Sequence, residues 1–433
     1  MKRQLTAAIG LAALVAGAVG CSSGGTAGQD AAASAAAETG TVTVWLMGEA
    51  QTTWPELVQQ VNDEFAAKYP KAELHLRYQT WKDKVGNLDE ALKANSAPDV
   101  VELGNTETMK YILNGSLAPV DRSSYDNNET WIRGLVDTCT YQDKLFCVPY
   151  YAGARVALYN SAMFKEATGS EAVPATEDEL LSALDRVQSD KRGQKSFSAL
   201  YLPGPYWYAA MSYVAAYGGS IARFDDTGRW HGTLSEPKSR QGVTHFIGLV
   251  KKYNHGDLKA DELDQAAVLG KHRTAMLYGN GWEVAGALEP LSGDPKLKDV
   301  LRVTTMPGPN GKPLPSFIGG SDLAVTAGSK VQDLAKDWVR MFTSAKSQQV
   351  LADKDTLPNN LTQLAPLKSK PATAAAANAV PDAWFTPVAP GWAAIEKQKV
   401  LVEMLDDILA GASVEAATTA ADARIDQLIN NPS

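Results

Sequence analysis

The sequence predicts an α/β fold with two α/β regions, and three observations predict it. Strand and helix patterns alternate as β-α-β-α-β between residues 41 and 103, and a second set of such patterns follows an extended stretch at 151–160. The 433 residues are 45% hydrophobic and 21% charged, which provides core for two or three domains of roughly 100–200 residues. This composition excludes disorder and fibre.

Residues 41–46, Thr-Val-Thr-Val-Trp-Leu, form a β-rich apolar run. Trp54-Pro55 opens a segment with Leu57, Val58, Val61 and Phe65 at helical spacing, and Pro70 follows its end. Leu74, Leu76 and Tyr78 alternate as a second strand, 85–94 is helical, and 98–103 is a third strand. This order implies a parallel sheet with right-handed crossovers. Ligand crevices in such sheets lie at the carboxyl ends of strands, which nominates the loops 47–53, 79–84 and 104–108. In the second region, Thr176-Glu177-Asp178-Glu179 is an acidic helix start, 198–201 a strand, 209–217 helical, and 274–278 a strand ending in Gly279-Asn280-Gly281-Trp282. Residues 307–315 turn to Pro and Gly, Ser329 to Gln332 reads as a capping box before Leu334, Trp338 and Phe342, and a last helix over 400–409 ends at Gly411. There is no internal repeat.

The amino terminus reads as a targeting segment. Lys2 and Arg3 precede a short apolar run without acids, too short to span a bilayer, so residues 1–20 are expected to be a secretory signal peptide. Ala18-Val19-Gly20-Cys21 resembles the bacterial lipobox, which implies cleavage before Cys21 and lipidation of its thiol. Residues 22–40 are mostly Ser, Gly and Ala without apolar periodicity, a flexible linker that makes 21–40 a lipidated tether. Residues 20–24 match G-x-S-x-G, but that motif needs a strand before it and a helix after it, and here it straddles a cleavage site. Cys139 and Cys147 lie close together in an exported chain, with Lys144 in a hairpin between them, and an oxidising compartment favours their pairing. Closing so short a loop restricts the unfolded chain by about 2–3 kcal/mol on the chain-entropy model.

A net charge of −8, with 41 Lys and Arg against 49 Asp and Glu, argues against nucleic-acid binding. Five histidines and three cysteines leave little for metal or cofactor chemistry, and neither is expected. There is no H-E-x-x-H, P-loop or G-x-G-x-x-G after a strand, so no catalytic residue is nominated. Aromatics instead gather beside Gly, Asn and Pro: Tyr150-Tyr151, Tyr206-Trp207-Tyr208, Asn280-Gly281-Trp282-Glu283, Trp384-Phe385 and Gly391-Trp392. Sugar rings present apolar C–H faces and a rim of hydroxyls, and flat aromatics beside amides and carboxylates match both.

The lipobox, Phe65 to Pro70, Pro98 to Val101, Gly115 to Asp121, Leu158 to Asn160, Met276 to Glu283 and Ile318 to Ser321, in this order, resemble the carbohydrate-binding lipoproteins of bacterial ABC importers, the class that includes maltodextrin-binding proteins. The resemblance covers essentially the whole chain. It implies a periplasmic-binding-protein-like fold, two α/β lobes joined by a hinge with a ligand cleft between them, no catalysis, and an ABC permease as partner. Residues 41–148 plus 303–350 are assigned to the first lobe, and 149–302 plus 351–433 to the second. Carried over residue by residue, Trp282 and Trp392 match sugar-stacking positions on the second lobe, Tyr206 a cleft aromatic, Asn105 the polar loop after the third strand and Glu49 a hydrogen-bonding position after the first. Trp81, Tyr151, Trp207 and Trp384 complete the aromatic set, with Asn280 beside Trp282. The loop 103–105 lacks an aromatic that some maltodextrin binders carry there.

The sequence thus reads as a monomeric receptor tethered through Cys21 to the extracellular face of a cytoplasmic membrane, capturing an oligosaccharide for an ABC permease. The runs 101–105 and 148–153 look most like actinobacterial members that take up chito-oligosaccharides. Two other readings stand beside it: a secreted glycoside hydrolase, whose carboxylates follow no strict spacing, and a receptor for a charged solute, with Tyr150-Tyr151 as ligands.

Overall fold

The computed structural model describes residues 39–260, 262 and 265–431. The expected signal peptide, Cys21 and almost all of the linker lie outside the described residues. β1 (Thr39–Met47), β2 (Lys71–Gln79) and β3 (Val100–Gly104) are parallel, with β1 between the other two, as the alternation predicts. Val42, Val44 and Leu46 of β1 point into the core and are fully buried. The Pro55–Lys68 helix follows β1, and Pro55 stands in its first turn, where a missing N–H leaves no helix bond unmade.

β4 (Thr140–Tyr141) and β5 (Lys144–Leu145) form the expected hairpin. Gln142 and Asp143 both take positive φ, 49° and 60°, as a two-residue turn with the twist of its strands requires. Cys139 and Cys147 are disulfide-bonded across its base, their Cα atoms 5.1 Å apart.

β6 (Val148–Asn160) is thirteen residues long and buried at every one. The remaining strands are β7 (Ser198–Tyr201), β8 (Ala222–Phe224), β9 (Trp230–Gly232), β10 (Thr274–Asn280), β11 (Leu301–Thr304), β12 (Ile318–Val325) and β13 (Leu357–Pro358). The main sheet runs β2-β1-β3-β12-β6-β10-β7, with β11 and β13 also on β6. It is mixed: β12 runs antiparallel to both β3 and β6, and β6 antiparallel to β10. The parallel sheet expected from residues 41–103 is therefore one end of a larger one.

Three buried clusters surround this sheet. The first joins β1, β3, residues 148–151 and 323–325 to Trp338, Phe342 and Leu351. The second gathers the helices Glu177–Asp190, Trp207–Ala216 and Pro237–Tyr253 with the carboxyl-terminal helices. The third packs residues 152–158 against Ile132, Leu135 and parts of 352–380. The boundary expected at 303 falls inside β11, which pairs with Ala157–Asn160, and Met306 and Leu314 pack in the second cluster. Strand pairing, which Pro and Gly in the sequence do not reveal, holds residues 301–304 on the end of β6.

Two end signals also differ from expectation. Ser329 does not cap the Gln332–Phe342 helix, which starts after Val331; its hydroxyl accepts from Val331 N–H at 3.2 Å and donates to Asp99, just before β3, at 2.6 Å, so it ties the turn before the helix to the sheet. The Val400–Leu409 helix does end near Gly411, at φ 117°, but it is not the last, since Ser413 caps another helix, Val414–Leu428. Its Ala- and Thr-rich sequence offers weak apolar contrast. Thr176 does cap the Glu177–Asp190 helix, accepting from Glu179 N–H and donating to the Glu179 carboxylate.

Asp322 of β12 is fully buried beside Cys139 and Cys147, accepting from the Thr108 hydroxyl at 2.8 Å. Burial pushes its carboxyl from 3.8 up to about 8, and Glu102 on the neighbouring strand is pushed up to about 7 by the same cause. A buried acid with a raised pKa takes up a proton on folding, so its contribution to stability falls as pH rises from about 4 through about 8. Asp322→Asn should therefore flatten part of this dependence. The melting temperature should drop less between pH 6 and 9 in the variant than in the parent; equal drops would show that Asp322 is already ionised at pH 6.

Candidate functional site

A cavity of about 760 Å³ opens where the carboxyl ends of β1, β3 and β10 converge on the middle of β6 and the start of β12. All three loops nominated from the sequence contribute to it: Glu49 and Thr53 from the first, Trp81 and Lys84 from the second, and 104–107 from the third.

On this first side the residues hold one another. Trp81 Nε1 donates to Glu49 Oε1 at 2.6 Å, which fixes the indole although its ring remains exposed. Lys84 lies over the same ring, 5.0 Å from its centroid, and forms a buried ion pair with Glu107. Glu107 also accepts from Gly104 N–H at 3.0 Å, and Asn105 N–H donates to the Gly320 carbonyl of β12. Lys84 is thus placed by an acid and an indole together.

The other side is built on β6 and β10. Arg155 of β6 donates to Glu262 at 2.8 Å and to the Tyr206 hydroxyl at 2.9 Å, and its guanidinium lies 3.9 Å from the centroid of Tyr208. Burial alone would pull its pKa down, but Glu262 and the tyrosines raise it on balance, so the group stays charged. Tyr208 stacks on Trp207 at 3.8 Å and leans on Phe317 at 4.7 Å. At the end of β10, Glu283 turns back to accept from Asn280 N–H and Gln265 Nε2, both at 2.8 Å. Burial raises its carboxyl to about 7. The Trp392–Lys397 helix adds Ile395 and Glu396; burial, then Glu107, push Glu396 up to about 7.

Of the ten residues nominated for binding, the structure brings Glu49, Trp81, Asn105, Tyr151, Trp207, Asn280 and Trp282 to the cavity wall. Trp282 is 59% exposed there. Three do not line it. Tyr206 is 2% exposed and supports Arg155 from behind. Trp384 donates to the Ser212 hydroxyl at 2.9 Å and faces a separate cavity of about 310 Å³. Trp392 is 1% exposed and belongs to the second core, 5.9 Å behind Trp207. Gly391 lies so close to the Leu428 carbonyl that the start of this helix is clamped to the end of the Val414–Leu428 helix, which seats Trp392 one layer below the wall.

The sequence pattern places Tyr208 beside Trp207 without marking it for the wall, and does not single out Arg155, Phe317 or Glu396. Arg155 did leave a signal, a lone charge inside the apolar run 151–160, which a buried strand tolerates only with partners.

A family model described as bacterial extracellular solute-binding protein matches residues 60–381. The chain belongs to this family. It is a binding protein, not an enzyme, and the family implies a place outside the cytoplasmic membrane. The diacetylchitobiose binding protein DasA of Streptomyces coelicolor is 33% identical over 408 residues, 92% of this chain and 91% of that protein. Among solved structures, an ABC transporter solute binding protein from Thermotoga lettingae bound with α-D-tagatose has a TM-score of 0.75 at 21% identity, covering 90% of this chain and all of that one. The GacH receptor of Streptomyces glaucescens, solved unliganded and with acarbose, has a TM-score of 0.73 at 22% identity and covers 91% and 100%. These structures share the periplasmic-binding-protein-like fold with this solute-binding protein.

The seat of Trp392 has a consequence for stability. Trp392→Ala should leave a cavity in the second core and destabilise the unliganded protein by roughly 3–5 kcal/mol in denaturant unfolding. An unfolding midpoint unchanged from the parent would place this indole outside the core.

Proposed function

We propose that this protein captures a short oligosaccharide and delivers it to the permease of an ABC importer. One observation carries the reading: aromatic faces stand on both sides of one cavity, Tyr151 of the first core with Trp81 on the loop after β2, and Trp207 and Tyr208 against the second core with Trp282 at the end of β10. Between them lie amides and carboxylates that can accept from or donate to hydroxyls, a mostly apolar site with a few placed polar groups. The relative that matches nearly the full chain binds diacetylchitobiose, which favours a chito-oligosaccharide as the ligand. Lys84 and Arg155 are each engaged by an acid, an arrangement that favours a neutral sugar over an anionic solute.

Binding is proposed to draw together two lobes built on the first and second cores, flexing at β6, β12 and the chain after residue 350, the three places where the chain crosses between them. The protein is proposed to act as a monomer held at the membrane by a lipid on Cys21, the Ser/Gly/Ala linker giving it reach to the permease.

A thermal-shift panel of di- and trisaccharides tests the ligand class. A sugar at 100 times its dissociation constant stabilises the native state by about 2.7 kcal/mol, and diacetylchitobiose should rank high; a panel without any shift would remove the sugar reading. Trp282→Ala should keep the unliganded melting temperature yet lose at least about 2 kcal/mol of sugar affinity, some thirtyfold, in calorimetric titration. In cells, Cys21→Ser should move the protein from the membrane fraction to the soluble one, and continued sedimentation with membranes would rule out the lipid tether.

A further inference from the structure

Gly153 lies in the interior of β6, paired with Gly319 of β12, where a glycine weakens a strand and marks a close approach. Its backbone does not require it, because its φ is not positive. What fills the space of the missing side chain is the outer edge of Trp282. A Cβ at Gly153 would stand 2.8 Å from both Cη2 and Cζ3 of that indole, and the next neighbour, Asn280 Oδ1, is 3.9 Å away. No backbone atom is among these three neighbours. Gly320, one residue past its ladder partner and paired with Ala152, is different in kind: a Cβ there would meet the Tyr151 carbonyl oxygen at 2.3 Å, beside the register shift at Ser321/Asp322, so that glycine is demanded by the sheet.

We infer that Gly153 is a positioning residue for the binding site, whose bare backbone lets the Trp282 indole lie down against β6 and so sets the depth at which its face meets the ligand. The inference rests on the reading of Trp282 as a stacking surface. Trp282 is largely exposed and caps the amino end of the Glu283–Leu288 helix, so few protein contacts hold its ring in place. The flat strand beneath it defines one limit of its motion. A methyl group at 153 would push the ring outward by about 1 Å to restore ordinary contact distance. That shift narrows the cavity from one wall and tilts the face on which a sugar ring would rest.

A double-mutant cycle with diacetylchitobiose as probe separates this role from stacking itself. Gly153→Ala should keep or slightly raise the unliganded melting temperature, since alanine suits an extended backbone better than glycine, and should weaken binding by about tenfold, part of the loss expected from removing the aromatic altogether. In the Trp282→Ala background the same change should have no further effect. It should also be silent beside Trp282→Phe, whose smaller ring lacks the indole's outer edge. Gly320→Ala, the control, should lower the melting temperature. If Gly153→Ala binds as the parent does while Trp282→Ala is weakened, the positioning role is overturned and stacking stands. Equal weakening by Gly153→Ala in both backgrounds, or loss of the fold, would likewise overturn it. Should Trp282→Ala itself bind like the parent, the stacking reading falls, and this inference with it.

Discussion

The structure depends on one strand that is buried along its whole length. β6 supplies residues to all three hydrophobic clusters: 148–151 to the first, 152–158 to the third, and Ala157 and Tyr159 to the second. It pairs with β12 and then β10 along almost its whole course, and with β13 at 151–152 and β11 at 157–160 as second partners. Such a strand has no solvated face, and its sequence accordingly lacks polar alternation. The only strongly charged side chain on it, Arg155, faces the cavity. The binding wall and the junction between the cores are therefore the same piece of chain.

That arrangement explains how the site tolerates charge. A cavity floor of low polarity makes an isolated ion costly, and the two buried cations of the wall are each met by a carboxylate, Lys84 by Glu107 and Arg155 by Glu262. Pairs of this kind add little to stability, but they fix direction. Lys84 steadies the Trp81 ring, and Arg155 spreads beneath Tyr208 and touches the Tyr206 hydroxyl. Two further acids of the wall, Glu283 and Glu396, have their pKa values drawn up to about 7, so near neutral pH they exist partly as hydroxyl donors. A wall that offers both donors and acceptors suits a ligand rimmed with hydroxyls.

Much of the site was legible because its loops follow strands whose patterns are plain. The alternation of Leu74, Leu76 and Tyr78 and the strand pattern over 98–103 located the carboxyl ends from which Trp81 and Asn105 hang. Aromatics were harder. Trp282 and Trp392 both follow a glycine at the start of a helix, and sequence treats them alike, yet one is mostly exposed and the other sealed in the core. The difference lies in what lies across from each: Gly153 opens a shelf under Trp282, while Trp207 stands between Trp392 and the cavity.

The sequence by itself determined the α/β class, the strand and helix succession of residues 41–103, the pairing of Cys139 with Cys147 and the three loops at the mouth of the site, because each depends on residues near one another in the chain. Only the tertiary structure decided the antiparallel insertion of β12 beside β3, the packing of Met306 and Leu314 in the second core, the tie between Ser329 and Asp99 and the depth of each tryptophan. These depend on partners tens to hundreds of residues away, whose claim on the same buried space leaves no periodic trace in the local sequence.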